Sequence, residues 1–125
     1  MNIVRKYGLF LAAVAVGLVS FGAGPAQAGA TQRTYSGCTV QGISRTTSTG
    51  IFVWAQAITL KKSGSCGRIS ARIQWTEAGT VHTSARDYST GNQAEAHSGQ
   101  NTRSKTGLIG FHSVEAGGAE NNFIS

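Results

Sequence analysis

Proline occurs once in this chain, at position 25, and methionine once, at position 1. After residue 28 leucine occurs only at Leu60 and Leu108. A protein so poor in strong helix formers excludes a helical bundle, and without Glu/Lys/Leu patterning it excludes a coiled coil. Charged residues make up 13%, about half the roughly 25% usual in soluble domains, so charge-driven disorder is excluded as well. No stretch after residue 28 stays apolar for the 18 or so residues of a spanning helix. No G-x-S-x-G, H-E-x-x-H or C-G-x-C element occurs, which removes the commonest signatures of nucleophilic and zinc hydrolases. With 125 residues, a multidomain enzyme is excluded by size.

The first 28 residues read as an address. Arg5 and Lys6 form a positive start, Leu9 to Val19 is an apolar run, and Ala26-Gln27-Ala28 offers the small residues a signal peptidase reads. That layout is a secretory signal peptide, with cleavage expected after Ala28. The apolar run is short for a membrane span, and Cys38 lies too far from it for a lipoprotein site. The mature chain is then a single secreted β domain over residues 29–125.

This part keeps nine basic residues against five acidic ones, a net charge of +4. Ser and Thr supply 25 of its 97 residues and Gly 13. Both cysteines, Cys38 and Cys66, fall within it. An even count in a small exported chain predicts one disulfide. The apolar complement is thin, and a core that small is marginal without such a staple.

Period-two alternation is clearest over Gly67 to Glu77, where Ile69, Ala71, Ile73 and Trp75 alternate with polar residues. Before it, Ile51 to Lys61 places Phe52, Trp54, Ile58 and Leu60 on one expected core face. The Ser63-Gly64-Ser65 link makes these two strands an expected hairpin, with Trp54 and Trp75 both buried. Glu77-Ala78-Gly79 leads into a strand over Thr80 to Tyr88, in a register that pairs Thr76 with Thr80, Gln74 with His82 and Arg72 with Ser84. Asn92 to Ser98 and Thr106 to Ala116 follow. Gly117-Gly118 is a two-residue turn that returns the chain and sets Glu115 opposite Glu120. Thr39 to Arg45 is a short first strand with Gly42 as a candidate bulge. The segments 45–50 and 99–106 read as loops. The sum is an all-β fold: a small antiparallel β-sandwich or partly closed barrel of about six to seven strands.

In that register Arg68, Arg72 and Arg86 share one outward face with Gln74 and His82, and Lys61 lies nearby. Guanidinium groups spread on a sheet suit carboxylate or phosphate ligands. Tyr88 is the one aromatic of matching parity, too few for a base-stacking surface. His82, His97 and His112 recur every 15 residues and read as outward-facing strand positions rather than a metal site. Glu95 and His97, two apart on a strand, face the same way and would need an Arg partner to cleave RNA. No catalytic set, cofactor or metal is assigned.

Size, leader and a Ser/Gly/Thr-rich composition resemble the secreted β-sandwich bacteriocins of the lactococcin 972 type. The likeness covers outline and composition and carries no site residue across. The expected function is a non-catalytic extracellular β-sandwich that binds an anionic cell-envelope polymer or an extracellular protein, antimicrobial or toxin-like in character. The alternatives are a secreted inhibitor of a protease or glycosidase, using loops flanking the cysteines, and a small secreted ribonuclease.

Overall fold

A computed structural model describes residues 29–125; the expected signal peptide lies outside the described residues. Nine strands and no helix occur among them. They are β1 (Gly29–Tyr35), β2 (Cys38–Thr49), β3 (Phe52–Gly64), β4 (Ile69–Glu77), β5 (Thr80–Thr83), β6 (Asp87–Ser89), β7 (Gln93–His97), β8 (Thr106–Ala116) and β9 (Ala119–Ile124). The first sheet runs β1-β2-β3-β7; the second runs β5-β4-β8-β9, with β6 also on β4. Every pairing is antiparallel.

The strands differ from the sequence expectation in three places, two of which add a strand. Gly29–Tyr35 is a strand, joined to β2 by a turn at Ser36 and Gly37, both with positive φ. The Ser/Thr-rich stretch after Arg45 extends β2 rather than forming a loop. The strand expected over Thr80 to Tyr88 is two strands on one edge of β4. Between them Ser84 donates its backbone N–H to the Ile73 carbonyl and accepts the Ile73 N–H on its hydroxyl.

The link at residues 63–65 is not a hairpin. The chain crosses there from the first sheet to the second, so β3 and β4 face each other instead of pairing. The Cys38–Cys66 disulfide, with Cα atoms 5.1 Å apart, ties the start of β2 to this crossing. A disulfide fits an oxidising, extracellular setting.

The core divides unequally between the sheets. The second sheet buries large side chains, Ile69, Ile73, Trp75, His112, Val114 and Phe123. Opposite them the first sheet offers Val40, Gly42 and Ser44 from β2, Ala55, Ala57 and Thr59 from β3, and Ala94 and Ala96 from β7. Large residues on one side and small ones on the other interdigitate at the density of a protein interior. This reverses the expected face of β3: Trp54 and Leu60 are half-buried on the outside and Phe52 is exposed, while Ile58, of the same parity, is buried as expected but outside the cluster between the sheets. Trp75 is buried as expected, but from a different sheet.

Gly42 is not a bulge; the register shift lies between Thr39 and Val40. Its role is clearance. A Cβ there would stand 2.5 Å from the His112 ring, which fills the middle of the sandwich.

Candidate anion-binding face

The outer face of the second sheet carries the three arginines singled out from the sequence. β4 presents Ser70, Arg72 and Gln74 outward, beside Ser113, Phe111 and Ile109 of β8. β9 adds Asn122 and Ile124, and β6 adds Tyr88 opposite Ser70. Each arginine is held on this surface by a specific contact. Arg68 lies 4.4 Å over the Tyr88 ring, and Arg72 lies 4.7 Å over the Phe111 ring. Arg86 donates from Nη1 to Ser70 Oγ at 2.7 Å. The Ser70 hydroxyl is in turn hydrogen-bonded to that of Ser113, and both serines are buried. Guanidinium on an aromatic face keeps its edge N–H groups free for an anion.

Charge is uneven across the face. Arg68 pairs with Glu115 at 3.2 Å, both half-exposed, and Glu120 stands directly opposite Glu115. That end carries two carboxylates against one guanidinium. The positive potential therefore concentrates at Arg72 and Arg86. The buried Nε of Arg72 has no hydrogen-bond partner among the described residues. Next to Arg86 is a hollow of about 230 Å³ lined by Phe111, His112, Asn122, Phe123 and Ile124.

Two residues assigned to this face lie elsewhere. The turn at Ala78 and Gly79 has two residues, not three, so Gln74 pairs with Thr83 and Trp75 with His82. A slip of one residue turns every side chain of a strand to its other face. His82 accordingly stacks on Trp75, ring centroids 5.4 Å apart, away from the arginines. The extra residue between β5 and β6 restores parity, which is why Arg86 and Tyr88 do reach the face. Lys61 belongs to the first sheet and donates to the Thr90 carbonyl at 3.0 Å.

Of the three histidines, His82 and His97 are exposed strand residues as expected, His82 on the Trp75 side of its sheet. His112 points inward and is 1% exposed, correcting the expectation. Its Nδ1 lies 2.7 Å from Thr59 Oγ1 and its Nε2 2.7 Å from Ser125 Oγ. Thr59 donates its one hydroxyl proton to the Ser70 carbonyl at 2.7 Å. His112 must then donate from Nδ1 to Thr59, leaving Nε2 to accept from Ser125. This neutral tautomer satisfies every group. Burial pushes the His112 pKa down from 6.5 to about 4, and the positive Arg86 adds to the effect.

The outer face of the first sheet assembles a polar row that was half seen in the sequence. Gln56 pairs with Arg45 on one side and His97 on the other. Gln56 Oε1 accepts from Arg45 Nε at 2.8 Å and from Thr47 at 3.2 Å, and its amide donates to Glu95. His97 Nδ1 lies 3.0 Å from the Ser98 carbonyl, so Nδ1 carries the proton and Nε2 is free. Glu95, His97 and an arginine thus share one surface.

Lys105, expected on an open loop, is buried. Its ammonium group donates to Asn101 Oδ1 at 2.6 Å and the Arg103 carbonyl at 2.7 Å, and pairs with Glu77 at 3.1 Å. The Lys105 hydrogen bond, helped by Asn101 and Trp75 against the cost of desolvation, lowers the Glu77 pKa from 4.5 to about 2. Nothing in the spacing of Glu77 and Lys105 announces this pair.

No family model, curated protein or solved structure matches the chain.

Proposed function

We propose that the protein is an extracellular, non-catalytic binding domain. In this reading it holds an anionic cell-envelope polymer on the outer face of its second sheet. One observation carries it: Arg72 and Arg86 lie on the outer face of the second sheet with no carboxylate paired to either among the described residues, and a hollow lies next to Arg86. Arg72 lies over the Phe111 ring and Arg68 over the half-exposed Tyr88 ring, which leaves the face poor in open platforms for stacked bases. That favours a phosphate- or carboxylate-bearing polymer over single-stranded nucleic acid. An antimicrobial or toxin-like role is consistent with this surface and with a net positive charge.

The test compares wild type with Arg68→Gln/Arg72→Gln/Arg86→Gln on teichoic acid and heparin at two salt concentrations. Binding is expected to weaken as added salt shortens the screening length from roughly 10 Å at 0.1 M to roughly 3 Å at 1 M. Arg72 and Arg86 account for most of the loss on substitution, because Arg68 is already neutralised by Glu115. Equal binding curves for the two proteins would reduce the face to a solubility feature.

A second reading, ribonuclease activity, draws on the Arg45, Glu95 and His97 row. There Glu95 would take the 2′-hydroxyl proton and His97 Nε2, once protonated, would give one to the leaving oxygen. RNA cleavage that disappears in both Glu95→Gln and His97→Gln would favour it over the binding reading.

A further inference from the structure

The β2–β3 hairpin outreaches the sheet that supports it. β1 pairs with β2 only as far as Ser44, and β7 pairs with β3 only from Gln56 onward. Beyond Ala55, its further pairing to the body among the described residues is the Val53–Asn101 bridge. The rest is a projecting two-stranded arm that turns at Gly50 (φ +61) and Ile51.

The end of this arm is apolar. Ile51 is 73% exposed and Phe52 47%. Behind them come the half-buried Val53 and Trp54, with Thr46, Thr47, Ser48 and Thr49 on the partner strand. No Asp or Glu occurs anywhere between Cys38 and Thr76. The charges near the arm are Arg45 and Glu95 at its base, both bonded to Gln56, and Arg103, exposed beside the Asn101 bridge. Glu77, the carboxylate of that end, is taken up by Lys105, Arg103 and Asn101.

We infer that the tip of the β2–β3 hairpin, Ile51 and Phe52, inserts into the interface of an anionic lipid bilayer. The arrangement suits that occupant in three respects. The exposed apolar pair leads, at the free end of the hairpin. Trp54 follows three residues behind Ile51, roughly 10 Å at about 3.3 Å per residue, which is the depth of the headgroup layer into which such apolar faces settle. An indole favours that height. The flanks carry Arg45 and Arg103, while the nearby carboxylates, Glu95 and Glu77, are engaged by Gln56 and by Lys105, Arg103 and Asn101, an arrangement that suits the negative surface potential of anionic lipids. Insertion stops at the tip, because the unpaired strand edges of the arm would leave backbone N–H and C=O groups unsatisfied in hydrocarbon. The arm therefore docks and does not span.

The experiment measures partitioning of the disulfide-intact protein into phosphatidylcholine vesicles with and without phosphatidylglycerol. Co-sedimentation and the blue shift of Trp54 emission are followed together. Wild type is expected to bind the anionic vesicles with a blue shift. Ile51→Ser/Phe52→Ser is expected to lose at least about tenfold in partition coefficient, since burying either side chain is worth on the order of 1.5–3 kcal/mol and 1.4 kcal/mol is tenfold. Circular dichroism confirms that this exposed double variant folds. Its teichoic acid binding should be unchanged, which separates the tip from the arginine face: either surface can fail alone. Three results would overturn the inference. They are absence of wild-type binding to anionic vesicles, equal partitioning of the two proteins, and a concentration-dependent dimer of wild type that the double variant abolishes.

Discussion

The neutral histidine at the centre of the sandwich makes stability fall in mild acid. His112 titrates near 6.5 when unfolded and near 4 when folded. Its pKa is lowered by folding, so the unfolded chain binds more protons in this range and stability rises with pH. The stabilisation is complete above about pH 6.5 and is lost as pH falls towards 4. The slope approaches 1.4 kcal/mol per pH unit, and the loss between pH 6.5 and 4.5 is roughly 2 kcal/mol. Glu77, with midpoints of 4.5 in the unfolded chain and about 2 in the folded one, adds to the loss only towards the acid end of this window. The assay is urea unfolding at a series of pH values between 7.5 and 4.5, followed by tryptophan fluorescence. His112→Gln provides the control: an amide can donate to Thr59 and accept from Ser125 but cannot titrate. The variant should be less stable at neutral pH, because the Phe123 stacking at 5.1 Å is lost, and its stability should be nearly flat over the window. A flat wild-type profile, or the same slope in the variant, would refute the assignment of the acid sensitivity to His112.

Reduction of Cys38–Cys66 opens a loop with a sequence separation of 28 and should lower stability by about 3.5 kcal/mol on the loop-closure estimate. Paired denaturation curves with and without reductant check it, and intact mass after alkylation verifies the starting bridge. Glu77→Gln should destabilise more than Glu77→Gln/Lys105→Met, because the single change strands a buried ammonium group and the double change removes it; midpoints of urea unfolding rank the two.

The sequence made the fold class legible because β4, β7 and the β8–β9 turn each carry a clean signal. Ile69, Ala71, Ile73 and Trp75 alternate strictly, Ala94 and Ala96 face inward, and Gly117-Gly118 supplies the two positive φ values its turn requires. β3 misled because its larger residues lie on the solvent side. The rule that bulk marks the core fails where the facing sheet already fills the space and only Ala, Gly, Ser and Thr fit opposite. β8 shows the same ambiguity: Phe111 and Ile109 point out while Gly110 and His112 point in. The turn after β4 was misjudged by one residue since Ala78, a non-glycine, adopts φ 50 there. That single residue decided His82. The arginine face survived because the irregular step at Ser84 compensates for it before Arg86.

The asymmetry of the core also accounts for where the two candidate surfaces lie. The second sheet spends its large apolar residues inward, so its outward positions are open to arginine, serine and asparagine, with Phe111 and Tyr88 serving as seats for guanidinium groups. The first sheet packs small residues inward, and its larger ones, Trp54, Ile58 and Leu60, go to the outer face, where Gln56 and Arg45 partly cover them. Past the end of the supporting strands nothing remains to cover Ile51 and Phe52. An exposed apolar tip is costly in water for a domain with so thin a core, and neither residue belongs to the buried core cluster. Their presence at the end of the arm, at the opposite pole from the disulfide and the Gly117-Gly118 turn, is therefore best explained by a surface that the tip meets. The occupant inferred for it is an anionic bilayer, and the vesicle experiment with the serine variant decides it.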